Sequence, residues 1–276
     1  MDIHLACESG LVDMLKDALK HTSDVNVQIT DQFHNLRTAL HLAVAHNHIE
    51  CVKLLLAHPG IDINVQDRNG KTPLYLATDI GHTECVKLLL AMPDVSLTLG
   101  DNKNHDTPLH VAAWCARNEC MQLLLKMPNI DVNIKNVHGW TPLHVSVSQC
   151  DPICLQLLLD MPRVNVNETG EDDATPLHIA ALKGHIDCMK LLLAHPTIDI
   201  NAQIRENNKK CCTPLFSAVV KGHIECIRLL LAQPTINVNT RIDGGKSLLR
   251  MAHESAENYI YKDEIISLLK EHGATE

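Results

Sequence analysis

The chain has 276 residues, 45% hydrophobic and 21% charged, with a formal net charge of -9 and a pI near 6.0. This composition is globular and excludes disorder as the main state; the acidic balance, without any long Lys/Arg run, excludes nucleic acid or an anionic membrane as the principal partner. No apolar run approaches a membrane span, the start Met1-Asp2-Ile3-His4 is too polar for a signal peptide, and with only 3% aromatics the core has to be aliphatic.

Residues 1–30 read as a truncated opening unit, in which Ile3-His4-Leu5-Ala6-Cys7 lacks the start that every later unit carries. From there one pattern recurs: Thr38-Ala39-Leu40-His41, Thr72-Pro73-Leu74-Tyr75, Thr107-Pro108-Leu109-His110, Thr141-Pro142-Leu143-His144, Thr175-Pro176-Leu177-His178 and Thr213-Pro214-Leu215-Phe216. A degraded copy, Ser247-Leu248-Leu249-Arg250, closes the series, and successive Thr or Ser positions lie 34, 35, 34, 34, 38 and 34 apart. Two further markers keep step. Cys-x-x-Leu-Leu-Leu begins at Cys51, Cys85, Cys120, Cys154, Cys188 and Cys226, and a Val/Ile-Asn pair ends at Asn26, Asn64, Asn133, Asn167, Asn201 and Asn239. Three markers on one period define a repeat architecture.

Each unit predicts a helix, a turn, a second helix and an extended finger. Thr before Pro suits a helix start, because the hydroxyl accepts from an orphan backbone N–H and Pro at the first position loses no needed donor. Gly-His, at Gly81-His82, Gly184-His185 and Gly222-His223, breaks the first helix. Glu84, Asp187 and Glu225 follow at the positive end of the second. Cys85, Val86, Leu88, Leu89 and Leu90 make an apolar stripe too wide for a surface helix, and Pro59, Pro93, Pro128, Pro162, Pro196 and Pro234 end these helices. One such pair cannot bury its apolar faces alone, so neighbours have to stack.

These residues resemble the ankyrin repeat, whose signature is T-P-L-H-x-A, then G-H and a leucine-rich second helix. The resemblance covers nearly the whole chain. It implies an all-α fold, an α-solenoid of stacked helix-turn-helix repeats with β-turn or hairpin fingers, and one domain over residues 1–276: an N-terminal capping repeat at 1–30, six internal repeats at 31–240 and a C-terminal capping repeat at 241–276. His110, His144 and His178 match the family histidine, which hydrogen-bonds within and across repeats; Tyr75, Phe216 and Arg250 depart from it. The usual Gly-Ala after the second helix is replaced by a longer segment such as Ala57-His58-Pro59-Gly60-Ile61-Asp62. The charged stretch Tyr261 to Gly273 supplies the polar outer face that a solenoid end requires.

The 11 cysteines and 18 histidines raise metal and redox chemistry. Six cysteines recur at one helical position amid leucines, where a thiol acts as a small hydrophobe, and no Cys-x-x-Cys occurs. Cys150 and Cys154 are four apart, but Cys154 belongs to the recurring set. Without a secretion signal, reduced thiols are the expectation. His48-x-Glu50, His82-x-Glu84 and His223-x-Glu225 match half of a deaminase motif, but they recur by period and the cysteine half is missing. Gly245-Lys246-Ser247 looks like the end of a phosphate loop, yet Thr240 stands where its first Gly belongs. No catalytic, cofactor or metal site is expected.

The resemblance further implies that a partner protein meets the concave face, made of finger tips and outward residues of the first helices. Register assigns to it Arg68, Asn69, Lys71, Asp79 and Ile80; Asn102, Lys103, Asp106, Trp114 and Cys115; Val137, His138, Trp140, Ser148 and Gln149; and Glu171, Asp172, Leu182 and Lys183. Both tryptophans fall in this set, in adjacent repeats, and predict a central hot spot; the competing reading of Trp140 is packing on the neighbouring finger. Two fingers are longer by four residues, Thr30–Arg37 with Phe33 and Arg205–Cys212 with Lys209 and Lys210, and the acidic finger Glu168–Asp173 precedes the basic one. Loop insertions carry function or are neutral.

The leading expectation is a non-enzymatic, cytoplasmic, monomeric scaffold that binds another protein, without cofactor, nucleic acid or membrane. The alternatives are the targeting region of a larger enzyme, a host-directed microbial effector delivered into a host cytosol, and a structural spacer. In a eukaryotic cytosol, Asn64, Asn133, Asn167, Asn201 and Asn239 match the family position that is open to hydroxylation.

Overall fold

The computed structural model describes residues 2–30, 35–170, 173–206, 209–241, 245–254 and 261–276, with the backbone only at 205–206 and 209–211. Two compact units are delimited, residues 1–137 and 138–276. In the first, helices pair as α1 (Ile3–Glu8) with α2 (Val12–His21), α3 (Ala39–Ala45) with α4 (Ile49–Leu56), α5 (Pro73–Ile80) with α6 (Thr83–Leu90), and α7 (Pro108–Trp114) with α8 (Asn118–Leu125). In the second, α9 (Pro142–Ser148) pairs with α10 (Pro152–Leu159), α11 (Pro176–Lys183) with α12 (Ile186–Leu193), α13 (Pro214–Lys221) with α14 (Ile224–Leu231), and α15 (Leu248–Glu254) with α16 (Lys262–Glu271). Within each unit first helices pack on first helices and second on second. The longer finger between α12 and α13 forms an antiparallel hairpin, β1 (Ile204–Glu206) and β2 (Lys209–Cys212), with Arg205 opposite Lys210.

The helix boundaries follow the repeat markers. Thr38, Thr72 and Thr213 sit as extended N-caps whose hydroxyls accept from the backbone N–H three residues on. Gly81, Gly184 and Gly222 end α5, α11 and α13 in the left-handed conformation, at φ 92°, 73° and 71°. Gly184 has a second reason to be glycine: a Cβ there would stand 2.7 Å from the ring of His223 in the next repeat. The equivalent positions Asn47, Ala116 and Cys150 hold the same positive φ, 56°, 53° and 57°, with a side chain in place. Asn tolerates that conformation; Ala and Cys are strained in it.

The core is the recurring aliphatic set. Cys51, Cys85, Cys120, Cys154, Cys188 and Cys226 are all buried on the second helices, as are Leu55, Leu89, Leu124, Leu158, Leu192 and Leu230. Burial pushes the thiols up, to about 11 at Cys85 and Cys226 and about 12 at Cys188, which keeps them protonated. Outer faces are polar at both ends: α2 carries the ion pairs Lys16–Asp13 and Lys20–Asp17, and α16 exposes Asp263, Lys270 and Glu271.

Polar side chains close the seams between repeats in three ways. The Thr-x-x-His histidines reach forward: His41 Nε2 lies 3.0 Å from the Lys71 carbonyl, His144 Nε2 3.1 Å from that of Ala174 and His178 Nε2 3.1 Å from that of Cys212. The residue opening each second helix reaches back to the end of the preceding first helix. His48 meets the Glu8 carbonyl at 3.1 Å, His82 that of Ala45 at 3.3 Å, His185 that of Val147 at 2.7 Å and His223 that of Leu182 at 3.1 Å. Arg117 takes this place with Nε donating to the Asp79 carbonyl at 3.0 Å, whereas Asp151 caps its own helix by accepting from the Ile153 and Cys154 amides. These links satisfy carbonyls at helix C-termini, where basic groups are favoured.

The third seam is made by the finger asparagines. Asn26, Asn64, Asn167, Asn201 and Asn239 each donate from Nδ2 to a carbonyl of the next repeat, of Gly60, Asp94, Thr197, Thr235 and Gly273. Each Oδ1 accepts from the amide two residues further, of Asp62, Ser96, Asp199, Asn237 and Thr275.

Relief of the strain at Ala116 is measurable. Ala116→Gly should raise the unfolding free energy by about 1 kcal/mol, and Ala113→Gly, inside α7, should lower it by about the same amount. Urea denaturation of both variants beside the parent checks the pair.

Candidate interaction surface

The repeat histidines are buried within the face-forming first helices. His41 Nδ1 accepts from the Thr38 amide at 3.2 Å and lies 2.8 Å from its hydroxyl, so Nε2 carries the proton given to the Lys71 carbonyl. Burial lowers the pKa of His41 and of His178 to about 4. Both rings are therefore neutral at pH 7 and serve as fixed hydrogen-bonding posts for the fingers rather than as titrating or metal-binding groups. Where Tyr75, Phe216 and Arg250 replace the histidine, the cap survives through their backbone amides, which donate to Thr72, Thr213 and Ser247 hydroxyls.

Finger tips in the first unit are joined by main-chain hydrogen bonds: Arg68 N–H to the Asn35 carbonyl at 2.7 Å, Asn102 N–H to Asn69 at 2.8 Å and Val137 N–H to Asn104 at 2.9 Å. Buried Asp67 holds its turn by accepting from the Asn69 and Lys71 amides. Arg68 and Lys103 consequently project from rigid turns and are exposed. Lys71 is not free: Nζ lies 2.8 Å from Asp79 Oδ2 and 5.0 Å from the Tyr75 ring centroid. The other Asp79 oxygen accepts from the Cys115 thiol at 3.5 Å. No spacing or motif in the sequence points to this local cluster.

Two apolar side chains of neighbouring first helices reach solvent. Ile80, at the end of α5, is 38% exposed, and Trp114, at the end of α7, is 57% exposed. Helices α5 and α7 pack on each other.

In the second unit the expected residues divide. Leu182 is 45% exposed, and His138 and Gln149 are exposed. Lys183 reaches across a repeat seam, with Nζ donating to the Ser148 carbonyl at 3.0 Å and hydroxyl at 2.8 Å. Trp140 is half-buried: its ring stacks on His144 at 6.3 Å between centroids, and a Cβ on Gly170 would stand 2.8 Å from its Cδ1. It packs on the neighbouring finger, which sets it apart from Trp114. Phe33, Glu171 and Asp172 lie outside the described residues, and of Lys209 and Lys210 only the backbone is described. Among the described residues no cluster of three or more His, Cys, Asp or Glu is placed to hold a metal ion, and no helix is long and apolar enough to cross a membrane.

Stacked helix pairs, finger turns and seam hydrogen bonds repeated at one period define a helical-repeat protein. The family profile for ankyrin repeats in three copies matches residues 3–67, 59–136, 129–204 and 154–242, and the chain belongs to the ankyrin repeat family. Among solved structures it is similar to the ankyrin repeat domain of Bcl-3, described as a unique member of the IkappaB protein family. That match has a TM-score of 0.74 at 24% identity and covers 85% of this chain and 98% of the other. No curated protein matches the sequence.

Neutral burial of the histidines sets a pH dependence. Unfolded, His41 and His178 titrate near 6.5; folded, near 4. Between those values the unfolded chain binds more protons, so stability is full above pH 6.5 and falls as pH drops toward 4. The two together contribute on the order of several kcal/mol. Urea midpoints at pH 7, 5.5 and 4 should decline steeply, and His178→Phe, the solution already present at Phe216, should flatten the decline.

Proposed function

We propose that the chain is a non-catalytic scaffold that holds a partner protein on the face formed by its finger tips and first-helix ends. The carrying observation is Trp114, a tryptophan left more than half exposed at the end of α7, with Ile80 exposed at the end of the neighbouring α5. Trp is enriched at interaction hot spots because it offers large contact area at low conformational cost. On finger turns of the same unit Arg68 and Lys103 are exposed, and the Lys71–Asp79 pair presents a fixed dipole instead of two mobile charges. In the second unit, taken by itself, Leu182, His138 and Gln149 are exposed at the corresponding register positions, while Lys183 and Trp140 are held by contacts with Ser148 and with His144 and Gly170. Reading residues 1–276 as one repeat domain, monomeric and cytoplasmic, is part of the proposal; it rests on the sequence period, which keeps its 34-residue step from Thr107 to Thr141.

The protonated thiols of Cys85, Cys188 and Cys226 and the neutral rings of His41 and His178 support the non-catalytic reading at those positions, since nucleophilic and general-base chemistry need accessible groups poised near neutral pH. The test is affinity capture with the parent chain and with Trp114→Ala/Ile80→Ser, quantified by mass spectrometry, with thermal unfolding as a control. The variant should melt within a few degrees of the parent, since both side chains are exposed, and should lose at least roughly tenfold of the captured partner, as removal of a hot-spot anchor does. Equal recovery by both would end the proposal. Trp140→Ala should behave the other way, lowering the melting temperature through lost packing on Gly170 and His144.

A further inference from the structure

The asparagine seam skips one repeat. Between Asn64 and Asn133 the corresponding residue is Thr98. In the register of the other repeats, the carbonyl and amide that an asparagine there would engage belong to Asn129 and Asp131, as those of Asp94 and Ser96 serve Asn64 at 2.7 and 2.8 Å. Among the described residues no hydrogen bond uses the Asn129 carbonyl or the Asp131 N–H. Both residues are exposed. The finger base is also loosened: Leu97 is half-buried, whereas its counterparts Ile63 and Val132 are buried. A cleft of about 440 Å³ opens here, lined by Met92, Val95, Leu97, Thr98, Met127 and Asn129 among others.

We propose that this cleft is a recognition site for a carboxamide side chain, Asn or Gln, carried next to an aliphatic residue on an extended peptide of a partner protein. The protein itself displays the fit: five times a primary carboxamide bridges this same carbonyl and N–H pair between repeats, donating to one and accepting from the other. A carboxylate lacks the donor for the Asn129 carbonyl, and an ammonium lacks the acceptor for the Asp131 N–H. The cleft is larger than a carboxamide, and its Met92, Val95, Leu97 and Met127 walls are chemically matched to an adjoining aliphatic side chain, with methionine adapting to its shape. The site shares no residue with the Trp114 face, so either can fail without the other.

The probe is N-acetyl-leucyl-asparagine N-methylamide, whose side chain is its one primary carboxamide, titrated into the isotope-labelled full chain and followed by amide NMR shifts. Saturable movement of the Asp131 amide is expected in the parent. The aspartate analogue should bind roughly tenfold more weakly through loss of a hydrogen bond. Thr98→Asn supplies the chain's own carboxamide, so it should occupy the pair and abolish the response while keeping a dispersed, folded spectrum. An unmoved Asp131 amide in the parent, an equal response in Thr98→Asn, or an aspartate probe that binds as well would each overturn the proposal.

Discussion

Everything in this structure depends on the inability of one helix pair to bury itself. The second helices are apolar around most of their circumference, and their Cys positions and the middle leucine of each Leu-Leu-Leu run are buried only because the neighbouring pairs cover them. Covering them brings backbone carbonyls and amides of turns and helix ends into the same seams, where a group without a partner costs about 1–3 kcal/mol. The three kinds of seam side chain, forward-reaching histidine, backward-reaching histidine and finger asparagine, are the repeated answer to that cost. They explain why so many histidines and asparagines occur at fixed spacing.

The architecture was largely legible in the sequence because its signals are local and repeated. Thr-Pro marks a cap, Gly marks a left-handed stop and the leucine run marks a buried helix, each for a reason that holds within one turn of chain. The seams were only half legible. His110, His144 and His178 could be assigned a cross-repeat bond from the resemblance, yet the asparagines were visible only as a period, since their role lies in atoms roughly thirty residues away. The surface was least legible. Register placed Lys71, Lys183, Trp114 and Trp140 in one class, but contact geometry separates them: Lys71 is tied to Asp79, Lys183 to Ser148 and Trp140 to Gly170, while Trp114 is left exposed.

Departures from the repeated solution are unevenly spread in the first unit. The repeat of α3 and α4 keeps the capping histidine His41, the backward histidine His48, the buried Ile63 and the bridging Asn64. The stretch from Tyr75 to Arg117 gives up one after another: Tyr75 for the histidine, Leu97 and Thr98 for the buried aliphatic and the asparagine, Ala116 for the glycine and Arg117 for the second histidine. The same stretch carries exposed Ile80 and Trp114. Sequences break their own local rules where something other than folding selects the residue. A neutral loss of repeat identity would erode seam positions without adding an exposed tryptophan; here the lost seam contacts and the gained apolar surface fall within about one and a quarter repeats. Arg117 shows that the break is constrained, since it restores the link to the Asp79 carbonyl by a different side chain, and Asp79 in turn holds Lys71 and Cys115. On the reading proposed above, the segment supports that surface, and the search for a partner begins there rather than at the longer fingers.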